Sequence, residues 1–131
     1  MAAEVHSHKD LVVWQKAMDL VILVYRYTKD LPDSEKYGLI SQMRRSSVSI
    51  PSNIAEGRKR GTRKDFHQFL LNAYGSGGEL ETQIEIARRL NLGNVIDRHN
   101  VEKLLDEVMR MLNVMTSKLG FEPPRSKLRG F

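Results

Sequence analysis

Two sets of six positions constrain what this chain can fold into. Ile40, Met43, Ser47, Ile50, Ile54 and Gly57 follow one another at spacings of three and four, and so do Leu70, Ala73, Gly77, Leu80, Ile84 and Ala87. Residues three and four apart stack on one face of a helix, so each set is the seam that a helix presents to a neighbouring helix. Ser47, Gly57 and Gly77 are small enough to let the neighbour's backbone come close. The chain is therefore organised around at least one closely packed helix pair.

The flanking sequence supplies two more helices. Asp10 to Lys29 contains neither Gly nor Pro and opens on Asp10, a suitable N-cap for a helix over about 10–29. At ~100° per residue its polar members Gln15, Lys16, Asp19 and Arg26 occupy an arc of about 100°. Apolar side chains cover the rest, more than one small bundle can bury, which argues for a homo-oligomer. Asp30-Leu-Pro-Asp33 breaks the pattern, and Ser34 is read as the cap of a second helix over 35–59. Pro51 removes a hydrogen bond to the Ser47 carbonyl inside that helix, so the helix kinks or stops. A kink is preferred, because the seam keeps its phase through the proline and Ile50 is a poor cap for a new helix. Ser46, Ser47 and Ser49 stand ready to supply hydroxyls to the freed backbone groups. Thr62-Arg-Lys-Asp65 resembles a capping box opening a third helix over 63–90. A turn around Gly93 leads to a fourth over 98–118, with Val101, Leu104, Val108, Met111, Met115 and Leu119 as its stripe and Gly120 closing it. The expected fold is all-α: an up-down-up-down four-helix bundle over 10–119, with a flexible arm at 1–9 and a flexible basic tail at 120–131.

Gly75-Ser-Gly-Gly78 lies in the middle of the third helix, where each glycine costs about 1 kcal/mol relative to alanine. A phosphate cradle would need these glycines between a strand and a helix with a lysine following, and neither is present. Close packing on the Ser47 and Gly57 side of the second helix is the better reading.

The chemistry of enzymes is missing. There is no cysteine, which excludes disulfides, thiolate chemistry and cysteine-ligated zinc. The four histidines at 6, 8, 67 and 99 cannot supply two Glu-x-x-His pairs, so a di-iron bundle is excluded. His6 and His8 sit in an unpatterned arm, and Asp65, His67 and Ser76 cannot form a triad because 65 and 67 point to different faces. Neither catalysis, a metal nor a cofactor is expected. No apolar run approaches ~18 residues and the N-terminus has no signal-peptide pattern, so the expectation is a cytoplasmic protein with no membrane partner.

Charge is the remaining signal. Arg44 to Lys64 holds seven basic residues and one acid, Glu56, a local +6 in a chain whose total is +5, so the remainder carries −1. With a sequence pI near 9.6 an anionic partner is indicated, although a net charge of this size also serves solubility.

Arg44-Arg45-x-x-Val-Ser-Ile-Pro-Ser-Asn-Ile-Ala-Glu-Gly57 is preceded by His8-Lys-Asp-Leu-Val-Val-Trp14 and Tyr37-Gly-Leu-Ile-Ser-Gln42, and followed by Gly75-Ser-Gly-Gly-Glu-Leu-Glu-Thr82. Together these resemble the bacterial intervening-sequence protein family, formerly labelled ribosomal. Its members are small four-helix-bundle proteins, many read from frames inside intervening sequences of 23S ribosomal RNA genes. The resemblance covers residues 8 to about 119 and implies a homopentameric helical barrel of unsettled biochemical function. A more distant likeness in fold is the accessory protein of diversity-generating retroelements, whose basic pentamer binds nucleic acid and a reverse transcriptase; its role carries over only by analogy.

Two groups of charges follow from this reading. Arg44, Arg45, Glu56, Glu79 and Glu81 lie on helices whose small-residue seams should meet, so they are read as ion pairs fixing register between helices or subunits. Arg58, Lys59, Arg60, Arg63 and Lys64 would repeat around a pentamer as a ring of about 25 positive charges, suited to RNA or DNA phosphates through counterion release. No aromatic residue is interleaved with them, so stacking on single strands is not indicated. The alternative is a structural or adaptor oligomer that binds another protein, with the basic loop as a charged rim.

Overall fold

The computed structural model describes residues 7–119. It contains four long helices, α1 (Val12–Lys29), α2 (Ser41–Arg60), α3 (Arg63–Arg89) and α4 (Val95–Lys118), and no strand among the described residues. A 3-10 turn over His8–Asp10 precedes α1, and Asp33–Glu35 and Lys36–Ile40 form a 3-10 and a π-helical turn before α2. Expectations for the arm at 1–6 and the tail from Gly120 lie outside the described residues.

Neighbouring helices run antiparallel, and side chains tie them to one another. Ser49 and Ser76 share a hydroxyl–hydroxyl hydrogen bond of 2.8 Å across α2 and α3. Lys16 of α1 reaches Glu107 of α4 at 2.7 Å. The Tyr27 hydroxyl, near the end of α1, donates to the Leu92 carbonyl between α3 and α4 at 2.8 Å. Burial pushes the Tyr27 phenol above its ordinary pKa.

The core follows the two seams. Met43, Ser47, Ile50, Ile54 and Gly57 of α2 are buried, as are Leu70, Ala73, Gly77, Leu80, Ile84 and Ala87 of α3, while Ile40 packs at the core's edge. The close approaches are specific. A Cβ on Gly57 would stand 2.6 Å from Phe69 Cβ, so α2 touches α3 there. A Cβ on Gly77 would strike Met109 Sδ of α4, so this glycine serves the α3–α4 contact, not the expected one with α2. Gly75 and Gly78 have nothing within 4 Å of a would-be Cβ and serve no contact inside the chain.

Several expected boundaries move. Asp10 is not the N-cap of α1. It closes a capping box with Ser7, whose hydroxyl accepts from the Lys9 amide while the Asp10 carboxylate accepts from the Ser7 amide. The second helix does not begin at 35: Gly38 has non-helical dihedrals (φ −108, ψ −112), and regular α-helix starts at Ser41. Ser34 lies within the preceding 3-10 turn. From there α2 continues through Pro51 to Arg60, so the proline does not stop it. Ser52 and the Asn53 amide donate to the Val48 and Ser49 carbonyls at 2.8 Å each, and Ser47 donates to the Arg44 carbonyl at 2.9 Å.

The α4 stripe is also displaced. Leu105, Met109, Leu112 and Thr116 are buried with Val101 and Val108, whereas Leu104, Met111, Met115 and Leu119 sit at the margin of the core. Leu104-Leu105, Val108-Met109 and Met111-Leu112 are adjacent apolar pairs about 100° apart on the helix. Because α4 lies against both α1 and α3, the line between the two stripes points inward.

Turns obey residue-level rules. Gly61 ends α2 at φ +82, and Thr62 caps α3 by accepting from the Asp65 amide at 3.1 Å. After α3, Asn91 takes φ +56, its amide reaches the Arg88 carbonyl at 3.1 Å and the Leu92 amide reaches Ala87 at 2.9 Å. That is a Schellman closure, with Asn91 in the left-handed position usually held by glycine. Asn94 then caps α4 by accepting from the Asp97 amide.

Candidate nucleic-acid interface

The N-termini of α1 and α3 and the C-termini of α2 and α4 share one end of the bundle, and the basic segment 58–64 lies there. Its five cations are not equivalent. Lys59 and Lys64 are exposed. Arg58 is half-buried and, with Lys59, lines a recess of ≈ 480 Å³ whose opposite wall is Ser7, His8 and Lys9. Arg60 pairs with Glu56 at 2.8 Å one turn earlier and lies 5.1 Å over the Phe69 ring. That hydrogen bond raises the Arg60 pKa further above its already high ordinary value. Arg63 donates through Nε to the Leu119 carbonyl (3.1 Å) and through Nη2 to the Lys118 carbonyl (3.0 Å), satisfying the open C-terminus of α4.

The other proposed group does not pair within the chain as expected. Glu56 belongs to Arg60, not to Arg44 or Arg45. Arg44 donates through Nε to the Thr28 hydroxyl at 2.9 Å and covers the Tyr25 ring at 4.4 Å, which fastens α2 to α1 by a hydrogen bond and a cation–π contact. Arg45, Glu79 and Glu81 are exposed and form no ion pair among the described residues.

Three contributors do not stand out in the sequence. Lys9 and His8 belong to an unpatterned arm, yet the capping box folds them against Arg58 and Lys59. The signal was Ser7-x-x-Asp10, too short to register as periodicity. His8 also packs edge-on to Trp14 at 5.1 Å. Lys118, at the end of α4, adds a further cation to this end.

Within about one turn of this end stand seven cations (Lys9, Arg58, Lys59, Arg60, Arg63, Lys64, Lys118) and three acids (Asp10, Glu56, Asp65), leaving four positive charges in excess. The opposite end, counted the same way, holds seven cations (Arg26, Lys29, Lys36, Arg44, Arg88, Arg89, Arg98) and five acids (Asp30, Asp33, Glu35, Glu85, Asp97), an excess of two. Arg88 and Arg89 reach Glu85 at 2.6 and 2.9 Å and hold its carboxyl down to about 2, chiefly through those hydrogen bonds. Arg98 reaches Glu102 at 3.2 Å. Both ends are thus positive, and the excess is larger where α2 passes to α3, four against two.

No group of side chains suited to a metal ion occurs among the described residues, and none of their helices is long and apolar enough to cross a membrane. Ser76 Oγ is engaged by Ser49 and donates to the Asn72 carbonyl at 3.2 Å, so it is no poised nucleophile.

The family model described as 23S rRNA-intervening sequence protein matches residues 9–114. The chain belongs to this family. The matched span includes all of segment 58–64 and the recess cations Lys9, Arg58 and Lys59, and stops short of Lys118. This intervening-sequence protein is also similar to a crystal structure described as a protein with unknown function from the S23 ribosomal protein family of Bacteroides thetaiotaomicron VPI-5482. The two share 24% identity and a TM-score of 0.73, over 80% of this chain and 98% of that one. At that identity the likeness establishes the fold alone. No curated protein matches.

Proposed function

We propose that this intervening-sequence protein is a non-enzymatic homo-oligomer that binds RNA or DNA phosphate backbones at the basic end of its bundle. The observation that carries the reading is the uneven charge of the two ends: four positive charges in excess where α2 passes to α3, against two at the other end, where Arg88, Arg89 and Arg98 are held by carboxylates. Lys9, Arg58, Lys59 and Lys64 are the phosphate-contacting side chains. Arg60 and Arg63 contribute field while holding Glu56 and the α4 terminus. The family resemblance supports a pentamer, in which these charges recur as a ring. The reading keeps a bend of α2 at Pro51, supported by the missing proline amide.

The test is retardation of a fluorescent duplex and of a structured RNA at about 50 and 200 mM salt, a range over which several phosphate contacts lose orders of magnitude in affinity. Lys59→Glu with Lys64→Glu is the control, because a change at Arg63 would also damage α4. Binding by wild type at low salt and not by the control supports the reading; absence of binding by wild type overturns it. In that event the second reading, an oligomeric adaptor for another protein, takes precedence. It is favoured by the apolar groove of ≈ 340 Å³ between α1 and α2, lined by Trp14, Met18, Val21, Val48, Pro51 and Ala55.

A further inference from the structure

Segment 58–64 carries no aromatic residue among its cations, but folding sets one beside them. The basic recess at Arg58 and Lys59 and the apolar groove between α1 and α2 share one wall, His8, whose ring meets Trp14 of the groove at 5.1 Å. The two cavities form one trough.

The trough changes character along its length. On α2, Val48, Ser52, Ala55 and Lys59 recur at spacings of four, three and four, so a single face of that helix runs from the apolar part into the basic part. At 1.5 Å per residue, Ala55 and Lys59 stand about 6 Å apart along the axis. One nucleotide can span that distance, with its base in the groove and its phosphate in the recess. The facing wall is held in place: Ser7 and Asp10 close the capping box, and Gln15 Nε2 donates to the Lys9 carbonyl at 2.9 Å, tying the turn to α1.

The lining selects the ligand's charge. No carboxylate lines either cavity among the described residues, whereas Glu81, Glu85, Glu102 and Asp106 all line the recess between α3 and α4. At the junction, His8 Nδ1 is shut off from solvent and has no hydrogen-bond partner among the described residues. An unmet polar atom of this kind favours a ligand that brings a hydrogen-bonding group to it, and a rotation of the imidazole presents it to a sugar or phosphate oxygen.

We propose that the trough binds one unpaired nucleotide of RNA or DNA, with its base against Trp14 and its phosphate between Lys9 and Lys59. The occupant is a nucleotide because the lining cations gather at one end, as a single phosphate needs, and the apolar end offers an indole on which a planar ring stacks. A base inside a duplex keeps its faces on its neighbours, so only an unpaired one can use this site. The assignment rests on the phosphate-binding reading above and names the part of a nucleic acid that the site selects.

The full-length chain is titrated at about 50 mM salt with two fluorescent duplexes, one ending in an unpaired tail of about four nucleotides and the other in the same tail without bases. The two carry equal numbers of phosphates. Trp14 is the chain's single tryptophan, so its emission reports on the site directly. The tail with bases is expected to bind about tenfold tighter and to quench Trp14. Trp14→Leu removes the indole and Ala55→Leu fills the groove from the other helix, and each is expected to bring the ratio of affinities to about one, while Trp14→Phe keeps most of it. Circular dichroism identifies the folded variants. Equal binding of the two probes by wild type, or Trp14 emission unchanged at saturation, overturns the nucleotide site and leaves the phosphate reading standing. A ratio that survives in a folded Trp14→Leu or Ala55→Leu variant overturns the site as well, since the bases are then held elsewhere. Failure of wild type to bind either probe overturns the phosphate reading and the site together, and the groove passes to the protein partner of the second reading.

Discussion

Glu85 shows how single side chains act in this bundle. Its carboxyl is held at about 2 by hydrogen bonds from Arg88 and Arg89, below its ordinary 4.5. A depressed carboxylate pKa adds stability above the unfolded-state value that is lost as pH falls from about 4.5 toward 2. All three groups are exposed, so the effect on the fold is small, but the titration is directly visible by carbon-detected NMR. Arg88→Ala with Arg89→Ala is expected to return Glu85 toward 4.5. Glycine chemistry gives a larger effect. Gly93 sits at φ +79, and a Cβ there would lie 2.6 Å from the Tyr27 ring and 2.9 Å from Leu31. Gly61 has a similar φ of +82 in open space. Gly61→Ala should therefore cost about 1 kcal/mol in urea unfolding for the left-handed backbone alone, and Gly93→Ala at least twice as much.

At the scale of elements, Arg63 separates two roles that sequence merges. It is one of five neighbouring cations, yet its guanidinium closes the C-terminus of α4. Arg63→Ala is expected to cost about 1 kcal/mol and to speed amide exchange in the last turn of α4, while Lys64→Ala changes neither. The α2 and α3 seams could be read from the chain because spacings of three and four alternate strictly there. The α4 stripe could not, because its apolar residues come in adjacent pairs and only the positions of α1 and α3 decide which pair member points inward. The Asn91 closure was hidden by Gly93 two residues later, the more obvious turn residue. The π-helical turn at Lys36–Ile40 left no trace, since Tyr-Gly-Leu-Ile suits a continuing helix as well as an interrupted one.

For the whole molecule, the candidate site was legible as a run of charge but not as a surface. Sequence places five cations together; folding divides them among a recess, an ion pair and a helix cap, and brings in Lys9, about fifty residues away in the chain. The unequal charge of the two ends makes a sharp comparison possible. Arg88→Ala with Arg89→Ala removes as much positive charge as Lys59→Ala with Lys64→Ala, but at the opposite end, from arginines already held by Glu85. Filter binding to duplex DNA at about 50 mM salt should be unchanged by the first pair and fall at least tenfold with the second. Residue 7 and Leu119 both emerge at the end where Lys59 and Lys64 lie. A purification handle or fluorescent protein joined directly at Ser7 or Leu119 therefore crowds the surface whose binding is to be measured. The turn at Pro32–Ser34, on the far side of the bundle, is the place to attach a reporter that leaves that surface open.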